Sequence, residues 1–296
     1  MPGGNRDLFL VFKLMETRRT FIRKGLLGAS AVTMMAAPAA SAFAGRSKRA
    51  AGTDRFALGI AGYSFVHFDI DESLAMMKRM DVHYLCIKDF HLPLESTDEE
   101  IAAFHAKLAE SGVTGYAVGP LYMTKSKAEI DRAFDYAKRV GVKLIIGIPN
   151  KEDLGYISEK TAEYDIHYAL HNHGPEDELY PNATSIFELV KDLDPRMGLC
   201  FDMGHNMRDG QDPVRDLERY HERIFDIHLK NVTAADKAGW TCELGRGVID
   251  IPAFVEMLRK VGYDGKCSLE FEKDMEDPLA GLAESAGYFR GVLDAS

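Results

Sequence analysis

From Arg55 onward, short runs of β-branched and aromatic residues alternate with longer stretches in which apolar residues return every three or four positions. The short runs predict strands over Phe56–Ser64, His83–Asp89, Thr114–Pro120, Lys143–Pro149, Ile166–His171, Met197–Met203, Ile224–Lys230 and Cys267–Glu272. The longer ones predict amphipathic helices, among them Glu72–Met80, Glu99–Ser111, Lys125–Val140, Ala183–Leu193 and Pro252–Val261. Several helices stop at a glycine that leads into the next strand, as in Ser111-Gly112-Val113, Val140-Gly141-Val142 and Val261-Gly262-Tyr263. Eight such units in about 250 residues predict a single (β/α)8 TIM barrel over residues 55–296, with an open doubly wound sheet as the alternative. No Gly-x-Gly-x-x-Gly or phosphate-loop motif follows a strand, which weakens a nucleotide-binding reading.

Residues 1–44 follow a different pattern. Arg18-Arg19 and Arg23-Lys24 precede the uncharged stretch Gly25–Ala44, which ends in the small-residue site Ala42-Phe43-Ala44. That is the layout of a twin-arginine signal peptide, followed by a linker over 45–54, and it predicts export to the periplasm or beyond. Gly28, Ser30 and Pro38 break the apolar run, so stable membrane insertion is not expected. Met15, just before the motif, competes with Met1 as the true start.

Net charge is −10, and removal of residues 1–44 takes it to −14, because that segment carries six basic side chains against two acidic ones. Such a surface repels phosphodiester backbones, so nucleic acid is not an expected partner. Of the four cysteines, Cys86, Cys200 and Cys267 lie inside strand-like runs and Cys242 in an expected loop, and all four read as buried small hydrophobes rather than disulfide partners.

In a barrel of this kind the chemistry gathers at the carboxyl ends of the strands. Ionisable residues do fall there: Lys88, Asp89 and His91; His171 and His173; Asp202 and His205; His228 and Lys230; Glu270 and Glu272. Alternation along a strand puts Asp226, His228 and Lys230 on one face, Glu270 and Glu272 on another, and His167, His171 and His173 on a third. Carboxylates closed into a cavity need compensating charge, and a divalent cation such as Mn²⁺, Mg²⁺, Co²⁺ or Zn²⁺ suits mixed Asp, Glu and His ligands. Tyr63, Phe65 and Phe90 read as core aromatics, whereas Trp240, alone in a glycine-containing loop, reads as a wall for a sugar ring.

The runs Phe201–His205, Ile227–Asn231, Gly245–Asp250, Gly262–Gly265 and Leu269–Glu272 resemble the successive signatures of the sugar phosphate isomerase/epimerase family of xylose-isomerase-like barrels. His171-Asn172-His173 is similar to a strand end in the twin-arginine-exported subset of that family. The resemblance implies metal ligands at His171, Asp202, His228 and Glu270, with His205 and Lys230 beside the substrate. His171 departs from the family's epimerases, which carry a glutamate there as one of two proton-transfer groups.

The expected function is a metal-dependent isomerase or epimerase acting on a sugar or keto-sugar through an enediolate. Glu270, His171, Glu272 and Lys230 are its candidate catalytic groups, and His173, His205, Lys88 and Trp240 its candidate substrate contacts. A lyase or dehydratase acting on a keto-sugar or inosose-like substrate is the second reading, and a periplasmic sugar-binding barrel without turnover the third. A nuclease on the same fold would need a basic face that this chain lacks. Because barrels of this kind often pair, a homodimer is also an expectation.

Overall fold

The computed structural model describes residues 54–296. The expected signal peptide and the choice of start residue lie outside the described residues. Eight parallel strands close into a barrel: β1 (Ala57–Ala61), β2 (Tyr84–Ile87), β3 (Thr114–Met123), β4 (Leu144–Pro149), β5 (His167–His171), β6 (Met197–Asp202), β7 (Ile224–Leu229) and, last in the chain, β10 (Lys266–Leu269), which pairs with both β7 and β1. A two-residue antiparallel ladder, β8 (Asn231–Val232) with β9 (Thr241–Cys242), follows β7.

Helices cover the outside, and their boundaries follow local chemistry. The helix Ile70–Met80 starts at a capping box between Asp69 and Glu72, and Asp98–Glu110 starts at one between Thr97 and Glu100. Lys127–Val140 and Ile251–Val261 stop at Gly141 (φ 78°) and Gly262 (φ 68°), where a side chain would strain a left-handed backbone. On Lys127–Val140 the buried stripe is Ile130, Phe134, Ala137 and Val140, and each large apolar side chain so buried contributes about 1.5–3 kcal/mol.

The core has two parts. The larger fills the space between strands and helices, while a smaller cluster, including Cys86, Ala117, Ile146, Ala169 and Cys200, fills the barrel interior. Period-two alternation makes this interior layer informative, because the residue two positions further along each strand also points inward. Two beyond Ala169 is His171, two beyond Cys200 is Asp202, two beyond Asp226 is His228, and two beyond Ser268 is Glu270. In the register Asp202 pairs with His228, while His171 pairs with Cys200 and Ser268 with His228, so the four climb the barrel in a stagger, His171 one inward step below Asp202 and His228 and Glu270 one above. The polar layer therefore sits one step above a plug of small side chains.

The elements differ from the sequence reading at the rims. The last strand stops at Leu269, short of the expected Glu272, because Phe271 N–H donates to Ser64 Oγ (3.0 Å) rather than to a neighbouring strand. β3 runs on to Met123, beyond the expected Pro120, through pairing of Leu121–Met123 with Gly147–Pro149. The helices Leu154–Tyr164 and Leu279–Ala295 went unnamed in the sequence; the first buries only Leu154, Ile157 and Thr161, and the second is rich in alanine and glycine. All four cysteines are free and buried, as expected, but Cys242 lies in the short ladder rather than in a loop. Among the described residues, no helix is long and apolar enough to cross a membrane.

Candidate metal centre

His171, Asp202, His228 and Glu270 each direct one ligand atom at a common point, with all four atoms within 4.8 Å of one another and all four residues buried. His171 Nε2 is 2.9 Å from His228 Nδ1, 3.7 Å from Glu270 Oε2 and 3.9 Å from Asp202 Oδ2; His228 Nδ1 is 3.1 Å from Glu270 Oε2. Metal–ligand bonds of about 2.1 Å space neighbouring ligand atoms about 3.0–3.4 Å apart, so the spacing suits one small cation. Asp202 Oδ2 is fully buried, and its charge is met by the Lys230 ammonium at 3.0 Å without a well-directed hydrogen bond, which leaves a lone pair free for an ion. The donor set of two imidazoles and two carboxylates fits a divalent metal, and buried Cys200 comes within reach of the two imidazoles but does not group with the carboxylates.

Lys230 supplies the positive charge next to this cluster. Its ammonium lies 3.0 Å from Asp202 Oδ2, 2.9 Å from Glu270 Oε2, 2.7 Å from Glu272 Oε2 and 3.1 Å from His205 Nε2. The neighbouring glycine explains how the side chain fits: a Cβ on Gly204 would meet Lys230 Cγ at 2.6 Å. Backbone bonds lock the ligands themselves. Asn172 clips β5 to β6 by donating to Asp202 O and accepting from Asp202 N–H, both at 2.9 Å, while Asp202 Oδ1 accepts from His205 N–H at 2.7 Å.

The fields in the cavity separate its groups. Burial, reinforced by the charge of His173, drives His171 well below its usual value, and burial with Lys230 nearby does the same to His205. Burial also disfavours charge on His228, but Glu270 and Asp226 outweigh it and lift the imidazole to about 9. Glu270 is held well below the carboxylate range because His228 and Lys230 overcome its burial. Asp202 is pushed up to about 7 by burial, against the pull of Lys230. Burial thus disfavours charge on His171, His173 and His205, whereas neighbouring carboxylates favour it on His228 and Lys230.

The other expected residues divide. His173, Lys88 and Glu272 line the same cavity as His171, His205 and Glu270. Trp240 does not: it is 76% exposed and absent from the cavity wall, so its expected substrate role has no support in the geometry. His167, expected on the face of His171, sits at the opposite end of β5 with its ring against Phe225. His91 turns away to Ser73 Oγ and Phe68 O. Glu176 pairs with Arg208, as befits a loop charge. Phe65 is core as expected, whereas Tyr63 lines the cavity and Phe90 is exposed beneath the Lys88 ammonium.

Three residues that line or brace the site were not singled out by the sequence. Tyr122 lines the cavity and stacks on His173, with ring centroids 6.3 Å apart. Tyr116 donates to buried Asp226, whose Oδ2 lies 3.7 Å from His228 Nε2 on the far side of that ring. Asn231 holds the loop after β7: its amide donates to Leu244 O and Ile249 O, and its oxygen accepts from Ile249 N–H. A Cβ on Gly247 would fall 2.1 Å from that oxygen, so the Gly245–Asp250 signature is a backbone cradle for Asn231.

This TIM barrel carries its polar cluster at the carboxyl-end mouth, the face where enzymes of this fold keep their active sites. A family profile described as xylose isomerase-like TIM barrel matches residues 61–292, and the chain belongs to that family. It is 28% identical over 166 residues to the rhizopine catabolism protein MocC of Rhizobium meliloti, covering 47% of this chain and 50% of that protein. It is 28% identical over 134 residues to the inosose dehydratase of Lacticaseibacillus casei, covering 40% and 44%. The chain thus spans about half the length of the curated relatives it matches. Among solved structures, the IOLI protein with a binding zinc atom superposes with a TM-score of 0.65 at 18% identity, over 81% of this chain and 98% of that one, which shows the shared fold.

Proposed function

We propose that this chain is a divalent-metal-dependent enzyme that removes a proton from the carbon beside a carbonyl in a small sugar or inosose-like compound. The convergence of His171, Asp202, His228 and Glu270 on one buried point carries the reading. The zinc in the IOLI protein and the named activity of the inosose dehydratase relatives support it. A cation held by those four residues would polarise a carbonyl and its neighbouring hydroxyl. Glu270, kept as a carboxylate, takes the proton. Lys230 balances charge beside it, and His173, Lys88 and Glu272 are placed to orient hydroxyls and return a proton.

His171 bears on the fate of that proton. A glutamate can ligate through one oxygen and carry a proton on the other. His171 points Nε2 at the cluster, and its Nδ1 is buried without a hydrogen-bond partner. The two-carboxylate pair that inverts a stereocentre is thereby reduced to one base. Elimination of a β-hydroxyl needs one base, and so does isomerisation between adjacent carbons. We favour elimination, because the inosose dehydratase relatives are named for the loss of water; isomerisation, which needs the same single base, is the second reading.

The test is incubation of metal-loaded protein with inososes and keto-sugars in heavy water, followed by NMR and mass spectrometry. Deuterium uptake with loss of one water supports elimination, and uptake without loss of water supports isomerisation. Absence of exchange in every compound that binds overturns the proposal. The Thr17–Lys24 pattern supports export through the twin-arginine route with the metal already loaded, and cell fractionation checks it.

A further inference from the structure

Two cavities open side by side at the barrel mouth and share one wall, Tyr122. The inner one, about 200 Å³, contains His171 and Glu270. The outer one, about 260 Å³, is bounded by Asp89, Glu95, Glu129 and Arg132. Neither alone reaches the roughly 300–1,000 Å³ of a small-molecule site, and joined they do. Resting on the sugar reading above, we propose that the outer cavity is a second sugar subsite, so that the substrate is an unphosphorylated two-ring saccharide or comparable two-unit polyol with its keto ring in the inner cavity.

Tyr122 is the central observation. It is 65% exposed, yet it is held in place, because Leu121–Met123 extend β3 past the barrel rim and pair with Gly147–Pro149. Its ring lies within 23° of the His173 plane, so one face is packed and the other is open at the junction of the cavities. An open aromatic face between the two chambers suits the C–H face of a sugar ring.

The charges select the chemistry. Carboxylates accept and a guanidinium donates in pairs, which matches the neighbouring hydroxyls of a sugar. Three carboxylates stand against one guanidinium, and Lys88 already pairs with Asp89. A phosphate in the outer cavity would therefore meet net negative charge. An apolar group there would strip water from these ionised side chains without replacing their hydrogen bonds. A neutral polyol avoids both costs.

Isothermal titration calorimetry of the full chain with Mn²⁺ present, using glucose, cellobiose and glucose 6-phosphate as probes, tests the subsite. Cellobiose should bind at least tenfold more tightly than glucose, and glucose 6-phosphate no more tightly than glucose. Arg132→Ala and Glu95→Gln, both outside the inner cavity, should each remove most of the cellobiose advantage. Cellobiose binding no tighter than glucose, an advantage that survives both substitutions, or preferred binding of the phosphate would each overturn the subsite. Heavy-water exchange is read separately. Loss of exchange with a retained two-ring preference would sink the reaction alone, and exchange with no such preference would sink the subsite alone.

Discussion

Lys230 Nζ and Glu270 Oε2 stand 2.9 Å apart, the lysine 1% and the glutamate 4% exposed in their side chains. The same ammonium reaches buried Asp202 and part-exposed Glu272, so one lysine contacts three carboxylates. Removing one partner of a buried ion pair costs about 3–5 kcal/mol, because the opposite charge is left uncompensated. Lys230→Met should therefore lower the melting temperature of chelator-treated protein by roughly 6–12 °C. Added Mn²⁺ should restore most of the loss by binding the folded state. Calorimetry with and without metal checks this, and an unchanged melting temperature in the chelated variant would show that Lys230 is dispensable to charge balance.

The proposed metal ligands are tested more directly by occupancy. Asp202→Ala or His228→Ala removes one of four converging donors, and each should weaken metal binding more than tenfold. Elemental analysis of dialysed protein reads the effect, with circular dichroism to confirm the fold. Full occupancy in both variants would place the metal elsewhere.

Gly204 links a short motif to that arrangement. Its absent side chain leaves the space that the Lys230 stem fills, and an added Cβ would approach Lys230 Cβ at 2.9 Å as well as Cγ at 2.6 Å. Gly204→Ala should cost about 1–3 kcal/mol of stability. It should also weaken the Lys230 contacts, so that its effect and that of Lys230→Met are less than additive in a double variant. Strict additivity in denaturant melts would contradict the coupling.

The strands, and the gathering of ionisable residues at their carboxyl ends, were legible because two periodicities act together, and the family resemblance then singled out four of those residues as candidate ligands. Period two along each strand fixes which residues point inward, and the repeat of strand and helix brings those residues to the same end of the barrel. His171, Asp202, His228 and Glu270 are one per strand, so neither regularity needs long-range information. Tyr122 was not legible, because it is placed by an irregular extension of β3 in which pairing jumps from Val118–Ile145 to Leu121–Gly147. Trp240 misled for the opposite reason: loop composition marks it as special, but composition carries no direction, and the ring faces solvent. Asp226 was visible as a same-face neighbour of His228, whereas its bond from Tyr116, 110 residues earlier in the chain, depends on closure of the barrel.

Far from the mouth, Asp194 accepts three bonds from Arg196, from its backbone N–H and from two guanidinium nitrogens, at 2.8–2.9 Å. The Arg196 guanidinium holds this carboxyl down at about 2. A depressed folded value stabilises the protein above the unfolded value of about 3.9, and that contribution fades as the pH falls toward 2. Asp194→Asn should lower the melting temperature by roughly 2–4 °C at pH 7, modest because the pair is near solvent. The gap between variant and wild type should narrow as the pH drops from about 4 toward 2. A gap that stays constant over this range would mean that the charge of Asp194 contributes nothing.

Glu270 and His171 can be told apart by isosteric change. Glu270→Gln retains an oxygen that can face the metal but cannot take a proton, so it should reduce heavy-water exchange by about 10²–10⁴-fold while metal occupancy falls far less. His171→Gln also retains a donor atom, and because neutral His171 aims Nε2 at the other ligands, it should reduce metal occupancy and exchange in proportion. The ratio of exchange rate to bound metal separates the two: it collapses for Glu270→Gln and stays near wild type for His171→Gln. If the ratio collapses for His171→Gln instead, the imidazole is the base, and the assignment of the proton to Glu270 is reversed.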